Sequence, residues 1–573
     1  MVLELLRCRK NAPILLDRNN LLLGFALLCY LFALADTKPS GLVKKDMSGV
    51  SIYDAGGGSP PHPAEAMELA ARHLDRMLSL DASTATLGDR LQGGGVLGGG
   101  GVSGLQDRDY PSGVGPEAVA VRQRTKAQRV PLPAELVEHF GHMQCNCSMG
   151  VFPEVERAWL TIDSDIYVWK YADGGDLAYY DGLTDTILTV ALVTPKPGIL
   201  QPHIKYLLCL ATPVEIVLLG VSLSSEGGSG EMHLLPSPLF SLPSDQLVAA
   251  SVAGTALGRI FLGGRDGSLQ EFHYQAEAGW FGEKTKRVNH TTSSLSWLLP
   301  NFLGGFSEDA LLQLVVDDSR NILYTRSEKG TVTVWDLGKD GQGMERVAVV
   351  AAAKVVEEAN KLAATVEAGN FKPLVHLAVV SSEEDSAVHL VIITGSGARL
   401  YFTTRGVSDL QSADSRPSTL RLLHVRLPPG FSPSAPPQRP TRVHTGYYRA
   451  GLGLIASSPA EAADVLWLVW GGGLPPGPHL MEGQDTVSVE GHTWAIAEVI
   501  RTGSLERLQV RSFGGREPPC AVTQHCSPAR QLVVLSAHGE IPFYIEWCFI
   551  VHMSRCSSSL PLPTSGLAAP TSH

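Results

Sequence analysis

The chain repeats one pattern of apolar and polar positions over several hundred residues. Runs of alternating large apolar side chains are joined by tight polar turns, first at Ala158–Leu183, where Asp173-Gly174-Gly175-Asp176 forces a reversal. Such alternation on both sides of a turn predicts antiparallel hairpins. The pattern returns at Arg259–Tyr274, Asn321–Leu337, His389–Thr404 and Gln531–Tyr544. A hairpin repeated on this scale predicts an all-β propeller, in which each blade buries its apolar faces on its neighbours.

Two stretches inside the repeated region depart from this pattern. Arg346–Val366 is rich in Ala, Lys and Glu, and its apolar residues recur near helical spacing, which predicts a helix inserted between blades. Ser408–Pro440 is rich in Pro and Ser and is predicted to be an inter-blade loop around one short strand. The apolar positions that define the predicted helix are Val350, Ala353, Val356, Ala359 and Leu362.

Ahead of the hairpins the composition changes three times. Pro61–Leu80 has apolar residues at helical spacing and is predicted to be an amphipathic helix docked on a partner or on the propeller. Gly93–Gly104 is predicted to be a flexible linker. A basic cluster of Arg122, Arg124, Lys126 and Arg129 is expected to be solvated linker, with contact to acidic lipid or RNA as the alternative. These features predict a leader at 1–36, a helical extension and linker at 37–129, a propeller at 130–545 and a low-complexity tail at 546–573.

The amino terminus carries a targeting-like pattern. Basic residues precede the apolar run Leu21–Ala35, which ends in Ala33-Leu34-Ala35, as in a signal peptide. Fifteen apolar residues are few for a transmembrane helix, which needs ~20. The two interpretations are an atypical start and a real targeting or anchoring segment. In the second case the sequons at Asn146 and Asn289 would be glycosylation sites.

Composition and charge narrow the function classes. A net charge of −11 and an isoelectric point near 5.9 argue against general affinity for nucleic acid, so no direct nucleic-acid partner is expected. Nine scattered cysteines do not form a disulfide framework, which points to a reducing compartment for the body of the chain. No metalloprotease, nucleophile-elbow, phosphate-loop or dinucleotide motif occurs, so neither enzymatic activity nor a cofactor is expected.

The sharpest functional element is Ser293–Phe306, SSLSWLLPNFLGGF, whose large apolar residues fall on one face of a helix. The opposite face offers Ser293, Ser294, Ser296 and Asn301, and no charged residue occurs between Arg287 and Glu308. Such a helix enters a bilayer through its apolar face and should prefer curved membranes. The alternative is a helix covering a blade edge, or a disordered loop. The side chains expected to touch membrane are Leu295, Trp297, Leu298, Leu299, Phe302, Leu303 and Phe306.

Other chemically suggestive residues have simpler explanations. His142, Cys145 and Cys147 would be a weak zinc motif, because structural zinc sites have four ligands with paired spacings, and ordinary packing is favoured. The acidic pairs Asp163/Asp165 and Asp317/Asp318 fall at turns, where capping is the expected role. Trp335-Asp336 is the dipeptide that ends a strand in many propeller blades.

Several of these segments resemble one family. AWLTIDSDIYVW with GGDLAYYDGL, YQAEAGWF at Tyr274–Phe281 and SRNILYTRSEKG at Ser319–Gly330 are similar to the large inner-ring scaffold nucleoporins of the nuclear pore, the one-hundred-fifty-five-kilodalton class. Val130–Cys147, His424–Ser432 and Gly491–Ala497 fit the same family. The resemblance spans residues 64 to 539. It implies a seven-bladed amino-terminal propeller, and dividing Glu154–Tyr544 by seven independently gives about 56 residues per blade.

The resemblance also implies a function. It predicts a non-enzymatic scaffold of the nuclear pore complex inner ring at the nuclear envelope, supporting nucleocytoplasmic transport. Its expected partners are other inner-ring and linker nucleoporins, pore-membrane nucleoporins and the curved nuclear membrane, which the family's counterpart of Ser293–Phe306 is thought to sense. The family's helical solenoid has no counterpart after Tyr544, where the sequence turns to Ser, Pro and small residues. The rival hypotheses are a soluble propeller adaptor without membrane contact and a secreted propeller isoform.

Overall fold

The computed structural model of the chain describes residues 68–69, 71–72, 75–76, 79, 85–92, 101–111, 124–126, 130–140, 146–224, 230–245, 247–276, 284–291, 309–406, 416–433, 438–460, 463–471, 479–499, 530–536 and 539–545. The chain divides into two units. The first comprises Met1–Thr84 and Ser504–Pro528, and its described residues, all between 68 and 79, are helical. The second comprises Ala85–Gly503 and Ala529–His573 and contains all the described strands.

The strands of the second unit form sheets in chain order. Two short strands come first, β1 (Gly101–Ser103) and β2 (Arg124–Lys126). The first sheet is β3 (Cys147–Phe152), β4 (Arg157–Ile162), β5 (Asp165–Lys170) and β6 (Ala178–Tyr180). The second is β7 (Thr189–Val193), β8 (Ile204–Ala211), β9 (Glu215–Leu223), β10 (Met232–Leu234) and β11 (Phe240–Pro243). The third is β12 (Ala249–Gly254), β13 (Ile260–Gly264), β14 (Leu269–Tyr274) and β15 (Thr285–Asn289).

Four further sheets follow. The fourth is β16 (Leu311–Asp317), β17 (Ile322–Ser327), β18 (Val332–Asp336) and β19 (Glu345–Val350). The fifth is β20 (Leu374–Val379), β21 (Leu390–Thr394), β22 (Arg399–Thr403) and β23 (Arg421–Arg426), extended by β1. The sixth is β24 (Val443–Arg449), β25 (Leu452–Ser457), β26 (Ala463–Gly471) and β27 (Glu482–Glu490). The seventh is β28 (Thr493–Val499), β29 (Arg530–Ser536) and β30 (Gly539–Ile545), completed by β2.

The described helices are short and lie between strands. They are α1 (Leu87–Gln92), α2 (Ala134–Phe140) and α3 (Ala352–Leu362), with 3-10 turns at Asp107–Asp109, Pro153–Val155 and Ala368–Phe371. The helix α2 begins directly after Pro133, and its Leu136 is fully buried beside the first and seventh sheets. Within the described residues, no helix is both long and apolar enough to cross a bilayer.

Each sheet is built around an antiparallel meander of consecutive strands, to which β1, β2 and β11 add pairings between strands that are not consecutive. The first strand of one sheet contacts the first strand of the next, from β7 through β12, β16, β20 and β24 to β28, and β28 contacts β3. The first and second sheets meet through β6 and β10. This circular order of radially packed meanders is a propeller, and the prediction of an all-β propeller is confirmed.

The apolar core lies between adjacent sheets. Separate clusters join the first and second sheets, the second and third, and so on around to the seventh and first. Strand β29 shows why, since alternate side chains point to opposite faces of a sheet. Leu532 and Val534 pack on the sixth sheet, whereas Val533 and Leu535 pack on the first. A strand buried on both faces reads as a continuous apolar run, as QLVVLS does here.

Two short strands lie inside segments before residue 130 that are predicted to be linkers. The end of the predicted flexible linker Gly93–Gly104 is a strand, since β1 pairs in parallel with β23. The middle of the predicted basic linker is also a strand, because β2 pairs antiparallel with β30 and so brings the two ends of the propeller into one sheet. The propeller therefore includes strands that the predicted boundary at residue 130 leaves out. Only main-chain pairing reveals them, because neither segment has an apolar alternation.

The other predicted elements had mixed outcomes. Of Arg346–Val366, only Ala352–Leu362 is helical, and Val350 instead ends strand β19. The buried helix positions are Val355 and Ala359, while Ala353 is exposed, so the predicted apolar face is rotated. The helix does lie between two sheets, as predicted. In Pro61–Leu80 the seven described residues are helical, but docking of that helix stays a prediction. The leader and the tail after residue 545 lie outside the described residues.

A buried cluster of charges connects the fifth and sixth sheets. Glu482, the first residue of β27, accepts hydrogen bonds from Arg399 (Nη1–Oε1, 2.7 Å) and from Arg426 (Nε–Oε2, 2.9 Å). All three side chains are at most 2% exposed. Burial opposes ionisation of Glu482, but the two guanidinium groups outweigh it and lower the pKa of Glu482 to about 2. The cluster is therefore charged at neutral pH, and its hydrogen bonds bridge two sheets.

Replacing Glu482 with Ala should lower the free energy of unfolding by about 3–5 kcal/mol, because the guanidinium groups of Arg399 and Arg426 would stay buried without their shared carboxylate. Urea denaturation of the purified chain measures this change. The matched control is Glu345→Ala, at an exposed position that begins β19. It should change the free energy of unfolding by less than about 0.5 kcal/mol. Equal effects of the two substitutions would contradict a stabilising role for the buried cluster.

Candidate interaction surfaces

The predicted membrane-binding residues Leu295, Trp297, Leu298, Leu299, Phe302, Leu303 and Phe306 all lie outside the described residues. The structure describes the two ends of the connection that contains them. Strand β15 is the outermost strand of the third sheet and β16 is the first strand of the fourth. Ser293–Phe306 is therefore part of a connection between two neighbouring sheets.

Both ends of this connection are fixed by hydrogen bonds. Before it, the amide of Leu269 donates to Thr291 Oγ1 (2.5 Å), and the amide of His290 donates to the Leu269 carbonyl (2.9 Å). After it, the amide of Lys329 donates to Asp309 Oδ1 (2.8 Å), and the amide of Glu328 donates to the Ala310 carbonyl (2.8 Å). The connection thus leaves and re-enters the propeller at defined points.

A buried carboxylate supports the first of these ends. Glu271 on β14 forms a bidentate pair with Arg259, with both distances 2.8 Å, and His290 Nε2 lies 2.9 Å from Glu271 Oε2. Burial opposes ionisation of Glu271, but hydrogen bonds from Arg259, His273 and His290 dominate and hold its pKa far below the usual range. His290, which lies shortly before the predicted membrane segment, is therefore hydrogen-bonded to the ionised carboxylate of Glu271 in the third sheet.

A second surface feature is the strap, which we define as residues 85–92 and 101–111. It lies on the fifth sheet through β1 and through polar contacts far apart in sequence. The amide of Gly88 donates to Asp385 Oδ2 (2.7 Å), and Tyr110 Oη donates to the Leu427 carbonyl (2.7 Å). The guanidinium of Arg426 stacks on the Tyr110 ring at 4.4 Å. The strap therefore covers the charged cluster around Glu482 and excludes water from it.

Two buried histidines lie in the same sheet. His389 Nδ1 accepts a hydrogen bond from the Thr404 amide (2.8 Å), and its Nε2 lies 3.1 Å from the Ser386 carbonyl, an arrangement that only a neutral imidazole satisfies. His424 Nε2 lies 2.7 Å from Ser103 Oγ in the strap. Burial, with nearby arginines as a further cause, lowers the pKa of each to about 3. Neither imidazole therefore carries a charge at neutral pH.

A basic groove opens beside these features, between the fifth and sixth sheets, with a volume of about 860 Å³. Its cationic lining residues are Lys372, Arg439 and Arg442, and none of the described residues that line it is acidic. The Arg439 guanidinium stacks at 4.5 Å on the ring of Phe431, which also lines the groove. A wide, cationic and partly aromatic groove suits a polypeptide segment better than a small-molecule substrate.

The acidic pairs at turns have mixed roles, since Asp317 caps its own turn whereas Asp163 and Asp318 accept from amides that are distant along the chain. Asp317 is buried and accepts from the amides of Ser319 (3.0 Å) and Arg320 (3.2 Å), which is turn capping. Asp163 Oδ1 accepts from the Asn146 amide (3.0 Å). Asp336 ends β18 and accepts from the Gly338 amide (2.7 Å), a structural role for the Trp-Asp dipeptide.

Two residues of the weak zinc motif, His142 and Cys145, lie outside the described residues, and Cys147 is partly buried on β3. In the described part of the chain, one group of His and acidic side chains is close enough to hold a metal ion, namely His444, Asp464 and His492. Sequence inspection missed this group because its members are 20 and 28 residues apart and lie on different elements. No local spacing signals such a site.

The chain is similar to known nucleoporins over most of its length. The family model described as Nup133 N terminal like matches residues 121–541. The nuclear pore complex protein Nup154 of Drosophila melanogaster is 36% identical over 436 residues, which cover 71% of this chain and 32% of Nup154. The nucleoporin NUP170 of Saccharomyces cerevisiae is 28% identical over 424 residues, covering 68% of this chain and 26% of NUP170. The chain thus spans about a third or less of these relatives.

Solved structures give the same result for the fold. The Chaetomium thermophilum Nup170 amino-terminal domain, crystallised in complex with Nup53, superposes with a TM-score of 0.68. The match covers 85% of this chain and 69% of that chain at 22% sequence identity. At this identity the likeness establishes the propeller fold.

Acidification should destabilise the chain through its buried histidines. In the unfolded chain each imidazole becomes protonated as the pH falls below its usual pKa of about 6.5. In the folded chain the pKa of His389 and of His424 is about 3, so both stay neutral until the pH is much lower. The free energy of unfolding should therefore fall as pH drops below about 6.5, by up to roughly 1.4 kcal/mol per pH unit for each imidazole. Urea denaturation between about pH 7.5 and about pH 5 measures the slope.

The variant His389→Gln should reduce this slope, because it removes one of the protonation events that the folded chain disfavours. His203→Gln, at an exposed position, is the matched control and should leave the slope as it is in the parent chain. An unchanged slope in His389→Gln would show that this imidazole does not contribute to acid sensitivity.

Proposed function

This chain belongs to the nucleoporin family described as Nup133 N terminal like, and from that membership we propose that it is a structural component of the nuclear pore complex inner ring. The observation that carries the proposal is the family match over residues 121–541, which coincides with the circle of sheets. The described polar groups have structural roles: buried charges such as Arg259 and Glu271 pair with each other, and Asp317 caps a turn of the backbone. The protein would act as a scaffold for other nucleoporins.

We further propose that the seven sheets act as the seven blades of one closed ring. The supporting observations are the contacts between first strands around the circle and the apolar cluster between each adjacent pair of sheets. Pairing of β2 with β30 would close the ring with main-chain hydrogen bonds, which leaves few free strand edges. A closed ring gives a rigid frame on which loops hold fixed positions.

The proposed location is the nuclear envelope at nuclear pores. Nup154 is a nuclear pore complex protein by name, and the superposed Nup170 domain was crystallised with Nup53. We therefore propose a Nup53-type nucleoporin as one partner, together with other inner-ring, linker and pore-membrane nucleoporins. Support of nucleocytoplasmic transport, of protein and of mRNA, would be indirect and follow from assembly of the pore. The basic groove around Phe431 and Arg439 has the chemistry to receive an acidic segment of such a partner.

We propose that Ser293–Phe306 contacts the curved pore membrane as an amphipathic helix. Large apolar groups contribute about 1.5–3 kcal/mol each when fully buried. Partial insertion and the cost of ordering the backbone, about 1–2 kcal/mol per residue, offset most of this gain. With no charged residue in the segment, binding would depend on packing defects of curved bilayers. The fixed ends of the connection support the proposal, since they would hold the segment at one side of the propeller.

Two alternatives are distinguishable from this proposal. A soluble propeller adaptor would use the same frame without touching lipid. A secreted propeller isoform would be directed by the apolar run Leu21–Ala35 and would carry glycans at Asn146 or Asn289. The family membership favours the pore over the secreted form.

The double variant Leu298→Asp/Phe302→Asp should reduce binding to small, uncharged, highly curved liposomes by at least about tenfold, because two charges on the apolar face would have to enter hydrocarbon. Flotation of the full chain with small and with large phosphatidylcholine vesicles measures this. The matched control is Ser294→Asp/Ser296→Asp, which adds the same charge on the polar face and should keep most of the binding. If the apolar-face variant keeps its curvature-dependent binding, the proposed membrane contact of Ser293–Phe306 is wrong and the adaptor hypothesis remains.

The full chain tagged at its carboxy terminus should give a punctate nuclear rim in permeabilised cells, because a pore scaffold is held by its assembled partners. Immunofluorescence with a pore marker measures the location, and affinity purification from the same cells should recover a Nup53-type nucleoporin. A reticular or secreted product that is sensitive to glycosidase would instead support a targeting role for Leu21–Ala35, and with it the hypothesis of a secreted isoform.

A further inference from the structure

His444, Asp464 and His492 meet where the sixth and seventh sheets join. His444 lies at a β-bulge in β24, where the pairing with β25 shifts between Val443 and Thr445. Asp464 is the second residue of β26, and His492 lies in the connection from β27 to β28. A bulge commonly changes the direction of one side chain, so it accounts for a histidine directed across the sheet toward β26.

The side-chain atoms of this group are close together. His444 Nε2 lies 2.8 Å from Asp464 Oδ2, and His492 Nδ1 lies 3.3 Å from Asp464 Oδ1. The three potential ligand atoms all lie within 4.8 Å of one another. In a tetrahedral zinc site with bonds of roughly 2.0–2.1 Å, ligand atoms are about 3.3 Å apart. The three ligand atoms are therefore near the spacing that one ion requires, and the exposed imidazoles can move to close the remaining difference.

Asp464 is held in place by groups other than the histidines. It is fully buried, its Oδ1 accepts from Ser458 Oγ (2.6 Å), and its Oδ2 accepts from the Thr493 amide (2.6 Å). Metal-ligating carboxylates are usually oriented by such outer hydrogen bonds. The carboxylate is thus fixed in place by groups other than the two imidazoles.

The two histidines lie on the solvent side of the carboxylate. His444 is 34% exposed and His492 is 58% exposed, so an ion can reach the site and the rings can adjust. Their rings meet edge to face, with centroids 6.2 Å apart. Two exposed imidazoles in front of a fixed carboxylate leave the remaining coordination positions to water.

We propose that His444, Asp464 and His492 form a binding site for a divalent transition metal of the zinc class. Imidazole nitrogen and a carboxylate oxygen are ligands that Zn²⁺ takes in proteins. His444 would bind through Nε2 and His492 through Nδ1. The ion replaces the hydrogen bonds between the imidazoles and Asp464, and any proton on the ligating nitrogens passes to water. Asp464 keeps its bonds from Ser458 and Thr493 as the outer support.

The site would act as a clamp on the frame. Its ligands come from the sixth sheet and from the connection that begins the seventh sheet, which is also the sheet that β2 completes. A ligand that binds only the folded chain stabilises that chain by mass action. The proposed ion would therefore stabilise the joint beside the meeting point of the two ends of the propeller. This role is independent of the proposed membrane contact.

Isothermal titration of the chelator-treated full chain with Zn²⁺ tests the proposal. We expect about one equivalent to bind in the micromolar range and to raise the temperature of unfolding. His444→Ala and His492→Ala should each weaken this binding at least about tenfold, and the double variant should abolish the stabilisation. Because both variants leave the bonds of Asp464 to Ser458 and Thr493 in place, they should fold, which circular dichroism verifies.

His203→Ala is the matched control, since it removes one exposed histidine from another part of the surface. It should leave Zn²⁺ affinity and stabilisation unchanged. If the double variant binds Zn²⁺ with the affinity of the control, the proposal is wrong and other residues hold the ion. The proposal also fails if the parent chain binds no Zn²⁺, or if bound Zn²⁺ does not stabilise it.

Discussion

Every sheet in this protein is apolar on both faces, so no sheet is stable without a neighbour on each side. Strand β29 illustrates the constraint, because its alternate side chains belong to two different clusters, one shared with the sixth sheet and one with the first. A linear stack of such sheets would leave an apolar face exposed at each end. A circle removes both ends, and pairing of β2 with β30 in one sheet ties them through main-chain hydrogen bonds.

The polar interior follows from the same arrangement. Where sheets fan apart, side chains longer than Leu or Val are needed to fill the space, and Arg399, Arg426 and Glu482 do this between the fifth and sixth sheets. Buried charges are tolerated only when each is paired, and the strap supplies both a further acidic partner, Asp109, and the Tyr110 ring that covers Arg426. The strap has almost no apolar alternation in its sequence, yet it supplies the pairing and the cover that the buried charges beneath it require.

A rigid frame with long connections matches the family to which the chain belongs. The frame fixes where each connection starts and ends, as the bonds of Thr291 and Asp309 do for the connection that contains Ser293–Phe306. The proposed scaffold function would lie in the grooves and connections of this frame. The groove beside Phe431 and the cluster at His444 both lie at joints between sheets, where side chains from different meanders meet.

The sequence by itself determined the hairpins, the all-β class and the family, because these depend on local alternation, on turn residues and on long runs of similar residues. It also predicted the turn capping by Asp317. The tertiary structure alone decided the rest: that Gly101–Ser103 and Arg124–Lys126 are strands, that Val350 ends a strand, and that His444 meets His492 across Asp464. The physical reason is distance along the chain. Strands β1 and β2 pair with partners more than 300 residues away, and such pairing uses backbone groups that every sequence carries.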